Sequence, residues 1–288
     1  MLKHHILLPP WLAYPYIERY SIGWRMGAGE DYILRWAEWY DTLGEEGQTE
    51  YQKLFPEPLT WKGYFQEEDE LEVFCHGDLM IEFWRENGDP KYSTDWLKSV
   101  VSSGQQPDYL FFWGARQTHG APTRHCLSQW SKSNFQSMNQ TYCCMEQFMM
   151  AAKAQLFGDQ ERHSQILATT DPNAMKRLGR KVRNFDDSIW DRVKYSIVLN
   201  GNYCKFHQVP ALRDFLLSTG DRVLVEASPY DKIWGIQLGE SDERAKHPSA
   251  WQGQNLLGFA LMEVRDELRR IWKHAHLCDG GAAQTGHK

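Results

Sequence analysis

Apolar and polar positions along this chain follow two periods, one helical and one extended. The strongest helical period runs from Thr141 to Phe157, where Met145, Phe148, Met149, Ala152 and Leu156 fall at i, i+3, i+4, i+7 and i+11. This predicts an amphipathic helix at the centre of the fold. Glu146 and Lys153 stand seven residues apart, about two turns, so both project from nearly the same side, at the edge of the apolar stripe. A carboxylate and an amine there are partly desolvated, which tunes proton transfer and nucleophilicity. The competing reading is a flanking pair whose charged ends reach water.

Further helices are expected from Asp171, as N-cap ahead of Pro172, through Arg183; from Asp186 to Gly201, with Ile189, Trp190, Val193 and Ile197 on one face; and from Pro210 to Ser218, closed by Gly220. A long last helix follows Gly253-Gln254-Asn255, carrying Leu257, Leu261, Val264, Leu268 and Ile271. Its first residues are ordinary capping residues, and also leave backbone N–H groups for a phosphate. Tyr109 to Trp113 and Val223 to Ala227 read as buried strands. Toward the N-terminus, residues 1–20 read as an extended segment packed on a core, Glu30 to Leu43 as a helix, and Leu59 to Phe65 as a short strand. Leu79–Trp84 and Trp96–Val101 are further apolar pieces, Glu67–Glu70 an acidic solvated face, and residues 102–107 a linker.

Composition narrows this picture. The chain has 288 residues, enough for one large domain or two modest ones, and 13 each of Trp, Tyr and Phe supply a sizeable core. No apolar run approaches the roughly 18 residues of a membrane span, and the opening M-L-K-H-H-I-L-L-P-P-W is broken by proline too early for a signal peptide. Six cysteines without CxxC spacing fit a reduced, cytoplasmic protein and no zinc site. The Gly27-Ala28-Gly29 turn lacks the preceding strand and third glycine of a dinucleotide site. Net charge is −6, but residues 1–100 carry 9 Lys and Arg against 19 Asp and Glu, and the remainder 23 against 19. The second part is therefore the better partner for phosphates. Five basic residues lie between Lys176 and Arg183, either as a solvated face or as an anion site.

Taken in order, these stretches resemble the NADAR superfamily from about Tyr109 to Arg270. The resemblance is carried by Met145-Glu146-Gln147-Phe148 with Lys153-Ala154, Lys176-Arg177-Leu178-Gly179-Arg180, Trp190, Lys205-Phe206, Thr219-Gly220, Val225-Glu226-Ala227-Ser228, Asp231-Lys232-Ile233-Trp234-Gly235, and Trp251-Gln252-Gly253-Gln254-Asn255-Leu256-Leu257-Gly258 ahead of Val264-Arg265. Leu127-Ser128-Gln129-Trp130 departs from the family's opening phenylalanine–serine–asparagine–phenylalanine, and residues 1–105 lie outside the match.

The resemblance implies an α+β, mainly α-helical YbiA-like (NADAR) domain with a small β-sheet at 106–278. An N-terminal extension would occupy 1–105 and a disordered tail 279–288. It implies hydrolysis of a ribose C1–N bond without cofactor or metal. The leading substrate is ADP-ribose on guanine in DNA, as an antitoxin-like reversal in a toxin–antitoxin setting, with ADP-ribose as product. The alternatives are phosphoribosylamino pyrimidine intermediates of riboflavin synthesis, and a non-catalytic module binding ADP-ribose or NAD. Lys153, favoured over Lys205, would attack C1 and pass through a Schiff base. Glu146 or Asp231 would move the proton. Lys176 and Arg180, with the helix start at Gly253–Asn255, would hold phosphate. Trp190 and Trp234 would stack on the base or fill the core, and Ser128 and Lys205 complete the expected contacts. The site is expected between the central helix and the Asp231–Gly235 turn.

Overall fold

A computed structural model of the chain describes residues 5–65, 71–115 and 120–278. The acidic face at 67–70, His119 and the tail at 279–288 lie outside the described residues. By contacts the chain forms two compact units, Met1–Leu71 with Glu267–Lys288, and Glu72–Asp266.

The first unit holds α1 (Pro10–Ala13), α2 (Glu30–Asp41) and α3 (Gly44–Leu54). Its centre is aromatic. Trp11 lies 5.4 Å from Trp61 and 5.5 Å from Phe65 between ring centroids, and Trp36 stacks on Tyr40 at 4.9 Å. Trp36 Nε1 donates to the Tyr51 hydroxyl (3.0 Å), which donates to the Leu7 carbonyl (2.9 Å). The opening segment is thus not wholly extended: Pro10 at the first helical position starts a turn that buries Trp11 and Leu12. Helix α3 has no apolar period to announce it. It carries Glu45 and Glu46 in its first turn and Lys53 in its last, the order that suits the helix dipole. The strand expected over Leu59–Phe65 is instead a tight helical turn at Leu59–Trp61. The Glu57 carboxylate accepts from the amides of Gly63 (2.7 Å), Tyr64 (2.9 Å) and Phe65 (3.2 Å), so the backbone curls around it.

The second unit holds the expected helices and strands together with a hairpin at Phe135–Tyr142 and a helix at Gln160–Leu167 that the spacing did not predict. Antiparallel β1 (Val73–His76) and β2 (Leu79–Glu82) lead to α4 (Thr94–Ser102), capped by Ser93, whose Oγ accepts from Trp96 N (3.0 Å). Strand β3 (Tyr109–Phe112) follows, then a hairpin of β4 (Phe135–Ser137) and β5 (Gln140–Tyr142). Next come α5 (Met145–Leu156), α6 (Gln160–Leu167), α7 (Pro172–Gly179), α8 (Asp187–Gln208), α9 (Pro210–Ser218) and β6 (Val223–Glu226). Helix α10 (Leu256–Ile271) closes the unit, its residues from Glu267 belonging to the first unit. Strands β3 and β6 pair in parallel, Tyr109 opposite Val223 and Phe112 opposite Glu226.

Two differences from the sequence reading bear on the site. Helix α5 is buried on almost every side, Ala151, Ala154 and Leu156 included, so Glu146 lies inside the fold rather than at the rim of a stripe. Helix α8 continues seven residues past Gly201. That glycine is a packing device and not a stop: a Cβ there would fall 2.5 Å from Phe148 Cδ1 and 2.7 Å from Met145 Cε, so α8 meets α5 where no larger residue fits.

Candidate active site

The entry of the chain into α5 fixes Glu146. Its amide donates to the Gln129 carbonyl (2.9 Å), and the neighbouring Gln147 reaches back to accept from Cys143 N (2.8 Å). Gln147 Nε2 also donates to the carbonyls of Ile166, Leu167 and Thr169 at the end of α6. Glu146 is 3% exposed. Its Oε2 accepts from Trp130 Nε1 (3.2 Å), while Oε1 is buried without a partner. Burial pushes its carboxyl up to about 7; Asp231 adds to the rise, and Lys176, the Trp130 indole and Arg180 oppose it.

The cations come from α7. Asp171 caps this helix through Asn173 N (3.0 Å) and Ala174 N (3.1 Å), with Pro172 at its first position as expected. Lys176 is half-buried with Nζ 5.9 Å from the Trp130 ring centroid. Arg180 is exposed and acts on Glu146 through its charge. The basic run divides. Arg177 pairs with Asp171 (3.7 Å), and Arg183 with Asp159 (2.6 Å) and Glu161 (3.3 Å), whereas the charges of Lys176 and Arg180 act on the Glu146 carboxyl.

The third wall is the end of β6 and the turn after it. Asp231 Oδ1 accepts from the amides of Ile233 (2.9 Å) and Trp234 (2.8 Å), which shapes the turn. Asn255, fully buried in the left-handed region (φ 54°), bridges to the strand: Nδ2 donates to Leu224 O (2.9 Å) and Oδ1 accepts from Glu226 N (2.9 Å). Ile236 N donates to Glu226 O (3.0 Å). Glu226 is therefore held from both sides of its backbone. Its residue is part-exposed, yet Oε2 is buried without a partner. Burial and the Asp231 charge push this carboxyl up to about 8; Lys176 opposes and Glu146 reinforces the rise.

Glu146, Glu226, Asp231, Lys176, Arg180 and Trp130 thus form one electrostatic cluster drawn from four parts of the second unit. Sequence reasoning passed over Glu226 and Trp130 as site residues. The signal for Glu226 was present, since a glutamate ending an apolar run, Val223-Leu224-Val225, breaks the pattern of a buried strand.

The other expected residues flank or brace this cluster in different ways. Lys153 is half-buried, with Nζ 3.9 Å from the Phe185 ring centroid and 5.3 Å from that of Trp190. Desolvation lowers its pKa, and the charge it feels is that of Asp187. Met150 lies between Glu146 and Lys153 on α5, and Gly179 closes on it so tightly that a Cβ would fall 1.9 Å from its sulfur. The contacts of the Lys153 amine are thus with the Phe185 and Trp190 rings, and its charge partner is Asp187. Lys205 is fully buried; Nζ donates to the carbonyls of Cys126 (2.6 Å) and Ser128 (3.5 Å), and desolvation lowers its pKa to about 8. It braces the segment ahead of Trp130, where Ser128 Oγ accepts from Trp130 N (3.2 Å). Trp234 is buried. The start of α10 offers little to a phosphate: the amides of Gly253 through Leu257 donate to carbonyls of residues 232–236, and a Cβ on Gly253 would meet Gly235 O at 2.2 Å. Gly253 and Asn255 hold the turn in place.

A mainly helical α+β unit with a carboxylate–cation cluster around a buried glutamate is the class these features define. Residues 111–269 match the NADAR domain. N-glycosidase R617 of Acanthamoeba polyphaga mimivirus is 43% identical over 164 residues, 55% of this chain and 95% of that protein. The riboflavin biosynthesis protein PYRR, chloroplastic, of Zea mays is 34% identical over 108 residues, 36% of this chain and 16% of that one. The NMR structure of the E. coli protein YbiA gives a TM-score of 0.46 at 25% identity, over 57% of this chain and 86% of that one. The chain belongs to the NADAR domain family. Among the described residues no helix is long and apolar enough to cross a membrane.

Proposed function

We propose that this chain is an N-glycosidase that hydrolyses a ribose C1–N bond, and that its substrate is ADP-ribose attached to guanine in DNA. The reaction class rests on the relative named N-glycosidase at 43% identity. The observation that carries the site is Glu146, almost wholly buried, with one oxygen unpartnered and two cations beside it. Breaking a C1–N bond calls for a proton at the departing nitrogen, capture of the cationic sugar carbon, and contacts to phosphate. A carboxyl near neutrality meets the first two needs, and Lys176 with Arg180 meets the third.

A nucleic-acid substrate is supported by an exposed ring pair next to the cluster. Trp113, directly after β3, is 49% exposed and Tyr230, directly before Asp231, is 84% exposed, with ring centroids 6.1 Å apart. Exposed rings of this kind stack on bases. Lys153 is the nucleophile the family resemblance implies, and its lowered pKa suits an amine that must be neutral to attack. Its amine packs against the Phe185 and Trp190 rings, which keep it partly desolvated. A non-catalytic ADP-ribose or NAD module is disfavoured, because buried carboxyls beside the phosphate cations weaken anion binding. The riboflavin intermediate is the second reading, favoured by the similarity to PYRR.

The test is release of ADP-ribose from an ADP-ribosylated guanine oligonucleotide by wild type, Glu146→Gln and Lys153→Ala. Release by wild type, reduced about 100-fold or more in Glu146→Gln, supports the reading. A folded wild type that ignores the oligonucleotide and cleaves the phosphoribosylamino pyrimidine overturns the DNA substrate. Full turnover by Lys153→Ala removes the amine route and leaves water as the attacking group.

A further inference from the structure

We propose that Glu226 is the acid that protonates the departing nitrogen, and that Glu146 is its anionic partner, taking the proton of the nucleophile. The inference rests on the N-glycosidase reading and divides its proton work between two carboxyls.

The two differ in what surrounds them. Glu146 accepts from the Trp130 indole and faces both Lys176 and Arg180, so donors and positive charge favour its carboxylate form. Glu226 has two carboxylates, Asp231 and Glu146, against the single cation Lys176, and its Oε2 is buried without a donor. Three carboxyls around so few cations do not all ionise; the one without donors keeps the proton. Asp231 is unsuited to the acid role, because its Oδ1 already accepts from two backbone amides. Glu226 is also the best anchored. Its N–H is held by Asn255, its carbonyl by Ile236 N, and a Cβ on Gly235 would fall 2.8 Å from that carbonyl. Such support fixes where the side chain starts, as an acid must be fixed against its target.

The step balances. The C1–N bond breaks and its electron pair goes to nitrogen, which takes the Glu226 proton. Water gives its oxygen to C1 and its proton to Glu146. Where the Lys153 amine attacks first, its proton takes the same route and water later frees the amine. Glu226 then carries charge and Glu146 is neutral, and return of one proton from Glu146 to Glu226 restores the site. The carboxyls near 7 and 8 place the working range between those values, with the pair titrating jointly.

The test compares two leaving groups in wild type, Glu226→Gln and Glu146→Gln. One substrate is the base-linked riboside that wild type cleaves. The other is a 4-nitrophenyl riboside 5-phosphate, whose phenolate departs without a proton. For Glu226→Gln we expect kcat to fall about 100-fold or more on the base-linked substrate and to stay within about threefold on the aryl riboside. The alkaline limb of the kcat/KM profile should disappear with it. Glu146→Gln should lose both activities. Equal losses on both substrates in a folded Glu226→Gln, or no loss on either, overturn the assignment. If Glu226→Gln does not fold, Glu226→Asp keeps the acid one carbon short and should show the same selective loss. A wild type inactive on both substrates overturns instead the N-glycosidase reading on which the assignment stands.

Discussion

Two buried carboxylates in the second unit, Asp159 ahead of α6 and Glu146 at the start of α5, have opposite fates. Asp159 is 1% exposed and both its oxygens accept: Oδ1 from Arg162 N (3.2 Å) and Arg183 Nη2 (2.6 Å), and Oδ2 from Arg183 N (2.9 Å). Those bonds, the Arg183 side chain first, hold its carboxyl well below the usual range against the effect of burial. Glu146 is buried to a similar degree but accepts from one indole, and its carboxyl rises to about 7. Burial alone does not decide the protonation of a carboxyl. Donors and neighbouring charge decide it as well, and a group kept short of donors has free bonding capacity for a ligand.

The sharpest way to break this comparison is to neutralise each side chain in turn. Glu146→Gln should lower kcat about 100-fold or more, with unfolding temperature unchanged or raised, since an unsatisfied buried charge is removed. Asp159→Asn should do the reverse, lowering Tm by about 5 °C with activity of the folded enzyme within about twofold. Kinetics and thermal melts on both variants decide it; a stability loss in Glu146→Gln matching that of Asp159→Asn would make both residues structural.

Asn255→Ala should come next in size. It leaves Leu224 O and Glu226 N unbonded in the interior, at about 1–3 kcal/mol each, and puts alanine in the left-handed region. A drop of about 5–10 °C in Tm with weakened kcat is expected, because the β6 end that carries Glu226 loosens. Loss of affinity for inorganic phosphate with unchanged Tm would return Asn255 to a phosphate contact.

The pH dependence of stability is a smaller and broader effect. Glu146 and Glu226 both have folded values above the ordinary 4.5, so the stability they contribute is fully present below about pH 4.5 and is lost as pH rises through about 7 and 8. For Asp159 the folded value is depressed, so its contribution is present above the ordinary 3.8 and is lost in stronger acid. Melts from pH 5 to 9 should show wild type declining more steeply than a Glu146→Gln, Glu226→Gln double variant. Parallel profiles would mean that both carboxyls are ordinary.

Much of this was legible in the sequence where local rules govern. The periods of α5, α8 and α10, the Asp171–Pro172 cap and the β3 and β6 strands follow from spacing and capping chemistry. What escaped depends on partners distant in sequence. Leu59–Phe65 reads as a strand until the Glu57 carboxylate gathers three amides. Lys153 reads as a companion of Glu146, and nothing local sets the Phe185 and Trp190 rings against its amine. Gly253 and Asn255 look available to a phosphate until the 232–236 carbonyls take their amides. Glu226 and Glu146 are 80 residues apart in the chain, and only the fold sets them against one lysine.

The smallest expected effect divides the basic run of α7. Arg177 is 65% exposed and its pair with Asp171 spans 3.7 Å, a contact that contributes little in water. Arg180 is also exposed, but its charge acts on the Glu146 carboxyl. Arg180→Ala should raise KM for a phosphorylated substrate by about tenfold, the size of one charge-assisted contact, with kcat little changed. Arg177→Ala should leave both constants and Tm within error. Equal effects from the two substitutions would mean that the run acts as a diffuse basic surface, and the salt dependence of KM would then fall for both variants alike.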